Sequence, residues 1–550
     1  MSVDDELGRR ELALLGVVFV VSGLGAALFA YGAVWVAGVD AGPGGQALGG
    51  ANVTFSPVAD QCGLDYRTTG NADGSDDGGV AVADYDRDGW PDLLAVGGGP
   101  TLFENTGEGF DRSGALPEGS YPPVKSALFF DAEGDGYQDL LLVPRSGEPV
   151  FLDNDNGTFR RTDEFGTPLR WGTGATAADF DGDGDRDVVI VQNGDWRNGT
   201  PRRGASGEAT DGFDNLLFEH TEEGFERVDS EAVAGSRWSL AVASADLTGD
   251  GRPDVYVAND YGRDALLVNR GGMAFERRPV PETNFHGMAS VLRDVDGDGL
   301  LDVFVTNIQF ENPQAVWELD SGLNVRNRGN SLLLNAGNGT FEERAAERGL
   351  KQGGWGWAAA IEDFDNDGTL DVLHATKHYL TRSDDGGFDG VATRPSLWDG
   401  RPNGTFERRD AAAAGLETSN GRGLATLDFD RDGDRDVVVA DTSEKFALYE
   451  NRAEGDWLQV RVRGPDALGT RVTVETDRRT ITRVQHARSN FFSQSSRTLQ
   501  FGLGPDTVES VRVERPDGTG QTIENVEPNR RLIVHGNGTV SSEAARDSGC

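Results

Sequence analysis

From residue 52 to residue 455 the chain repeats one pattern of apolar and polar positions. A run of small apolar residues, such as Gly174-Ala-Thr-Ala-Ala or Trp357-Ala-Ala-Ala-Ile, leads into an acidic turn that contains glycine. A β-branched run leaves the turn, as in Asp187-Val-Val-Ile and Asp302-Val-Phe-Val. A third run follows: Thr101-Leu-Phe-Glu-Asn, Asn215-Leu-Leu-Phe-Glu, Ala265-Leu-Leu-Val-Asn or Ser331-Leu-Leu-Leu-Asn. A Gly-x-Phe piece begins a fourth. Short β-leaning runs bounded by turn residues read as strands. Four strands per repeat and seven repeats predict an all-β chain built as a seven-bladed β-propeller over 52–455. Small residues in the first strand fit crowding near the axis. The seventh repeat stops at Phe446-Ala-Leu-Tyr-Glu-Asn, without a Gly-x-Phe strand. The orphan piece around Phe55 is expected to complete that blade, which would remove exposed sheet edges.

The pattern changes at both ends. From about Asp456 alternating strands follow without acidic turns: Trp457-Leu-Gln-Val-Arg-Val, Arg471-Val-Thr-Val, Thr480-Ile-Thr-Arg-Val, Ser510-Val-Arg-Val and Arg531-Leu-Ile-Val. They predict a small β-sandwich-like domain over 456–535, with 536–550 as a polar tail. Residues 1–11 are polar, carry Arg9 and Arg10, and are expected to be cytoplasmic. Leu12–Val39 is a run of 28 uncharged residues. A bilayer needs about 20, so the run predicts one transmembrane helix, a single-pass protein of the cell membrane with its bulk outside. The alternative is a cleaved export signal. Either way residues 40–550 leave the cytoplasm, and 40–51 is a Gly-rich linker. The polar insertions Asn193–Asn215 and Gln309–Asn330 are expected to be surface loops.

The acidic turns carry the chemistry. Asp84 to Asp92 reads D-Y-D-R-D-G-W-P-D, with carboxylates at positions 1, 3, 5 and 9 and Gly89 at position 6. Hard divalent cations take oxygen ligands, and Ca²⁺ takes six to eight in flexible geometry. The candidate ligands of the first loop are Asp84, Asp86, Asp88, Asp92 and the backbone carbonyl of Trp90. The later loops offer Asp131, Glu133, Asp135, Tyr137 and Asp139; Asp179, Asp181, Asp183, Asp185 and Asp187; and Asp246, Thr248, Asp250, Arg252 and Asp254. The remaining three offer Asp294, Asp296, Asp298, Leu300 and Asp302; Asp363, Asp365, Asp367, Thr369 and Asp371; and Asp428, Asp430, Asp432, Asp434 and Asp436. The residue at position 7 contributes its carbonyl in each. Seven copies 47 to 69 residues apart predict up to seven bound Ca²⁺, one per blade. The ions are expected to be structural. The loops are not EF-hands, because position 12 of the first is Ala95 rather than Glu and the flanks are strands. The fourth, with Leu247 and Thr248 in place of an acid pairing, is expected to bind weakly or stay empty.

Net charge is −41, from 92 acids and 51 bases, and lysine occurs only at 125, 351, 377 and 445. Such a surface suits high salt, where screening blunts self-repulsion, and predicts a halophilic source. No basic face competes with this field, so nucleic acid is excluded as a partner. Cys62 and Cys550 make no disulfide framework, and a bridge between them is left open. Asn-x-Thr sequons at Asn52, Asn156, Asn198, Asn338, Asn403 and Asn537 allow glycosylation, although five are also Asn-Gly hairpin turns.

The strand–loop–strand repeats resemble the FG-GAP/VCBS repeats of integrin-α-like propellers. The segment Asn451 to Val534 resembles an ASPIC/UnbV domain. Its Trp457-Leu-Gln-Val, Gly469-Thr-Arg-Val, Ser493-Gln-Ser, Leu499-Gln-Phe-Gly-Leu-Gly504, Val526 and Asn529 carry that resemblance. The pairing is similar to the cartilage acidic protein family, which implies an exported, calcium-binding, adhesive protein.

Eight residues before each loop's first acid, at the opposite end of the inner strand, stand Trp171, Trp238, His286 and Trp355 in four of the repeats. Three tryptophans and a histidine around a channel mouth suggest a pocket for sugars or peptide segments. The competing reading packs these rings between blades. His374 and His378 lack a third ligand for zinc. No nucleophile elbow or phosphate loop is present, and no catalytic residue or other cofactor is assigned. The expected function is adhesion or recognition of a surface protein or glycan. The alternatives are an exported carbohydrate-active lyase or hydrolase and a purely structural cell-envelope protein.

Overall fold

The computed structural model describes residues 53–550 except 69–77, 163–164, 196–200, 203–207, 281–282, 284–285, 310–328, 377–378, 383–387, 392–393, 419, 443, 465–466, 488–489 and 547–549. The apolar run Leu12–Val39 lies outside the described residues. Among the described residues no helix is long and apolar enough to cross a membrane. The single-pass membrane assignment, made from hydropathy alone, is therefore corrected: no helix among the described residues supports it.

The repeats form sheets of four antiparallel strands in repeated blades, consistent with a β-propeller. The first blade uses Gly79–Ala83, Asp92–Val96, Thr101–Asn105 and Phe110–Arg112 in sequence order. The second uses Val124–Phe130, Asp139–Pro144, Val150–Asp155 and Thr158–Thr162. Among the described residues this pattern occurs in seven sheets. In the sixth, a hairpin of Tyr379–Arg382 with Phe388–Val391 interrupts the order. The last joins Gly421–Leu427, Asp436–Asp441 and Ala447–Asn451 to the early strand Phe55–Pro57, in register Phe55 opposite Asn451. The orphan strand thus closes the last blade.

First strands of successive blades lie side by side, and Gly421–Leu427 meets Gly79–Ala83 again. These inner strands are buried along their length, whereas the outermost are largely exposed, as in buried Phe110 beside exposed Asp111 and Arg112. Apolar clusters fill the spaces between neighbouring blades. One contains Val80, Leu93 and Phe103 of the first with Leu427, Val438 and Leu448 of the last.

The C-terminal domain has two four-stranded sheets. In one, Asp456–Val462 pairs antiparallel with Leu499–Gly504 and parallel with Arg530–Val534. The other holds Arg471–Thr476, Thr480–Val484, Val508–Glu514 and Gly520–Glu524. Leu458, Val460, Val474, Phe501, Val511 and Leu532 share a core between them. The stretch expected as a polar tail supplies an edge strand, Val540–Ala544. Beyond it, Cys550 is disulfide-bonded to Cys62.

The connection from Thr480–Val484 to Leu499–Gly504 enters the ring of inner strands. Val82 donates its N–H to the Gln494 carbonyl at 3.0 Å, and Gln494 returns one to Val80 at 2.9 Å. Ser496 donates to Thr426 at 2.8 Å in the last blade. The Asn490 side chain donates to the Leu424 carbonyl in that same blade and to the Ala359 carbonyl in the sixth. Inner strands otherwise present unpaired backbone groups to the axis, and buried backbone groups need partners; the inserted segment supplies them. Space is tight: a Cβ on Gly79 would stand 2.0 Å from the Phe492 carbonyl oxygen.

Candidate cation loops and the facing cleft

Each acidic loop joins the first and second strands of a blade and is held by its own carboxylates. The position-1 aspartate accepts the N–H of the position-6 glycine in all seven, as in Gly368 to Asp363 at 2.8 Å. The glycine lies at positive φ, for example +89° at Gly368, where a side chain would strain the turn. The position-5 aspartate accepts the N–H of position 7, as in Trp90 to Asp88 at 2.8 Å. The position-9 aspartate accepts from position 2 on one oxygen and from the third strand on the other. For Asp92 these donors are Tyr85 at 3.1 Å and Asn105 at 2.9 Å.

Carboxylate oxygens of positions 1, 3 and 9 converge within 4.8 Å in Asp84/Asp86/Asp92, Asp179/Asp181/Asp187, Asp294/Asp296/Asp302 and Asp363/Asp365/Asp371. In the second loop the convergent set is Glu133, Asp139 and Asp153 instead. Asp153, on the third strand, carries no signal in the loop motif. Burial, helped by neighbouring carboxylates, raises Asp88 to about 6 and pushes Asp187 and Asp302 up to about 7. The same causes hold Asp363 and Asp436 well above the ordinary range. Asp131 Oδ1 and Asp363 Oδ1 are buried with no hydrogen-bond partner. Orphaned carboxylate oxygens beside crowded acids fit an oxygen-ligated divalent cation. In the fourth loop Thr248 replaces an acid, and its amide donates to Asp254 at 2.9 Å.

In five of the seven blades an asparagine at the end of the third strand links the loop to that of the neighbouring blade. Asn105 Nδ2 donates to the Phe429 carbonyl in the last blade's loop at 2.8 Å. Asn154, Asn269, Asn335 and Asn451 do the same to Tyr85, Phe180, Leu247 and Phe364. Recurrence of this Asn in the third run was the available signal, hidden by insertions of different length between it and the loop. His220 and Gly400 take its place in the third and sixth blades, where only their N–H meets the aspartate.

The four aromatic positions sit at the opposite ends of the inner strands and are largely covered. Trp171 lies under the Arg145 guanidinium, 3.5 Å from the ring centroid. Trp238 donates Nε1–H to Asp211 at 3.0 Å and meets Tyr261 edge-on; Tyr261 in turn meets His286. His286 is 2% exposed and hydrogen-bonds Asp260 at 2.7 Å. Half-buried Trp355 stacks on Trp357, which packs against the inserted Phe491 at 4.7 Å. Trp238 and His286 share one aromatic row through Tyr261. Of the two histidines weighed for zinc, His374 is buried against Trp398, and His378 lies outside the described residues.

The C-terminal domain rests on the loop end of the blades. Arg461 and Arg463 pair with Asp84, and Arg531 and Gln459 bond Asp428. Arg479 reaches the Asp367 carbonyl, and Arg471 the Gly299 carbonyl at 2.7 Å. Beside the third and fourth loops the two parts leave a cleft of about 600 Å³. Asp179, Asp181, Asp246 and Arg252 line it from the blades, with Arg471 and Arg515 from the C-terminal domain. Nothing in the strand pattern indicates how the two domains meet, so this cleft escapes sequence reading.

A model of the FG-GAP-like repeat matches residues 84–142, 131–190, 246–305 and 321–374, and one of ASPIC and UnbV matches 462–541. Mouse cartilage acidic protein 1 is 25% identical over 474 residues, covering 70% of this chain and 70% of its own. The human protein is 24% identical over 474 residues, covering 70% and 68%. Among solved structures, an Agrocybe aegerita lectin that recognises non-reducing terminal N-acetylglucosamine aligns with TM-score 0.37 and 18% identity, over 57% of this chain and 80% of its own. Rhamnogalacturonan lyase of Bacillus licheniformis aligns with TM-score 0.26 and 17% identity, over 72% and 75%. The chain thus carries FG-GAP-like repeats followed by an ASPIC and UnbV domain, and is similar to the cartilage acidic proteins.

Proposed function

We propose that this chain is a calcium-stabilised recognition module, a seven-bladed wheel that binds a protein or glycan at the cleft beside its third and fourth loops. The observation that carries the reading is the cleft of about 600 Å³, which joins a convergent carboxylate set to arginines of the second domain. Calcium in the loops would be held by the position-1, -3 and -9 carboxylates. When bound, it supplies positive charge that lets crowded acids ionise together. Arg471 and Arg515 offer forked donors suited to carboxylate or sulfate groups on a ligand. Similarity to the cartilage acidic proteins supports a binding role.

The test is a glycan array and a panel of purified surface proteins probed with the full chain, with calcium and with chelator. Saturable binding that Arg515→Ala weakens about tenfold or more is expected, since a charged hydrogen bond contributes ~1.5–3 kcal/mol. Binding that ignores Arg471→Ala and Arg515→Ala alike would move the site elsewhere.

A further inference from the structure

Where the first, second and last blades meet the C-terminal domain, the protein leaves a second, much smaller cavity of about 20 Å³. Arg435, Arg461, Arg497 and Arg531 line it together with Asp84 and Asp428. Four guanidinium groups against two carboxylates give this lining a net charge of +2.

Both carboxylates are already engaged. Asp84 receives Arg461 and Arg463, and Asp428 receives Arg531 and Gln459 Nε2. Arg435 has neither. Its side chain is 0% exposed, its Nη2 donates to the Thr498 carbonyl, and Nε and Nη1 have no partner. Arg497 donates Nη2 to the Phe129 carbonyl, and its Nε is likewise buried without a partner. The third loop shows the contrast. Arg186 holds the same loop position as Arg435 but turns back on its own loop, donating to the Gly184 and Asp185 carbonyls at 3.0 Å.

A buried guanidinium stays protonated, and leaving its donors unsatisfied is costly. The cavity has room for one water-sized particle, since about 10–15 Å³ suffices for a water. A polyatomic oxyanion is too large for it. A water would answer some of these donors without bringing negative charge to them. We propose that the cavity binds a single monatomic anion, chloride, which accepts from the free N–H groups of Arg435 and Arg497 and neutralises the seam where the C-terminal domain docks.

The test is thermal unfolding of the full chain at constant ionic strength and saturating calcium, in sodium chloride, bromide or gluconate. The wild-type midpoint is expected to rise with the logarithm of chloride or bromide concentration relative to gluconate. Arg435→Met is expected to abolish the halide preference while keeping the calcium dependence. Comparing each protein with itself removes general salt effects. Crystals grown in bromide are expected to give an anomalous peak between Arg435 and Arg497. Equal midpoints in all three salts, or bromide crystals with only a water-like peak there, would overturn the proposal. If Arg435→Met fails to fold, the wild-type salt series and the bromide peak still decide. Failure of calcium binding alone would leave the halide preference intact, so the two readings fail separately.

Discussion

Gln494 of the C-terminal domain is bonded to both backbone groups of Phe129 in the second blade. Its Oε1 accepts the Phe129 N–H at 2.8 Å, and its Nε2 donates to the carbonyl at 2.9 Å. One amide side chain thus imitates a neighbouring strand at the axis. The carbonyl keeps a second donor in Arg497, whereas the N–H has only Gln494 among the bonds described. Gln494→Ala is expected to cost about 1–3 kcal/mol, the range for orphaning a buried amide. Chemical denaturation read by tryptophan fluorescence measures it. A change below about 0.5 kcal/mol would mean that water enters the axis freely.

Chelation is expected to lower the melting temperature steeply at neutral pH. A site at a hundred times its Kd stabilises by about 2.7 kcal/mol, and the convergent sets recur around the blades. Differential scanning calorimetry in EGTA, then with calcium restored, gives the answer. Asp363→Asn, at a loop with an orphaned oxygen, should reduce the calcium-dependent shift without erasing it. A melting curve unchanged by chelator would remove calcium from the account.

The asparagine link between blades is open to a single substitution. Asn105 Nδ2 donates to the Pro91 carbonyl at 3.3 Å as well as to Phe429, and the residue is buried. Asn105→Ala is expected to destabilise by roughly 1–3 kcal/mol. The same change at exposed Asn403, a turn residue, should cost less. Equal effects at the two positions would show that the link contributes nothing specific.

Asp264 provides a pH test away from the acidic loops. It is fully enclosed in the fourth blade, accepts from the Asn259 N–H and the Tyr256 hydroxyl at 2.8 Å each, and burial pushes it up to about 7. A raised carboxyl keeps its proton in the folded state after the unfolded chain has lost it. Its stabilising contribution is therefore complete below pH 3.8 and declines as pH rises to about 7. Asp264→Asn, which retains an acceptor for Asn259, should show a smaller fall in stability across that window than the parent. Parallel slopes in pH-dependent urea titrations would contradict the assignment.

The blades and their loops are readable in advance because both leave periodic signals. Recurring small-residue and β-branched runs mark the strands, and acids at positions 1, 3, 5 and 9 cannot crowd together without a reason. The closing strand at Phe55 is legible for a related reason, since one repeat lacks a fourth strand and one strand lacks a repeat. The inserted segment is not legible. Asn490, Ser493, Gln494 and Ser495 have the composition of a surface loop, yet they are buried because the unpaired edges of inner strands need polar partners. Asp153 joins its carboxylate set through blade geometry rather than loop spacing. The Cys62–Cys550 bridge spans 488 residues, a separation at which spacing says nothing about proximity.

The closing strand has a consequence for how the molecule is made. Phe55–Pro57 leaves the ribosome some 390 residues ahead of its partner Ala447–Asn451. At roughly 5–20 residues per second that is a wait of tens of seconds. The axis stays unlined until Gln494 follows, and the Cys62 thiol has no mate until Cys550 is made, 488 residues after it. A nascent chain stalled before those points carries a half-built sheet with a bare edge, so holdase chaperones should act most on chains that stop just short of residue 447.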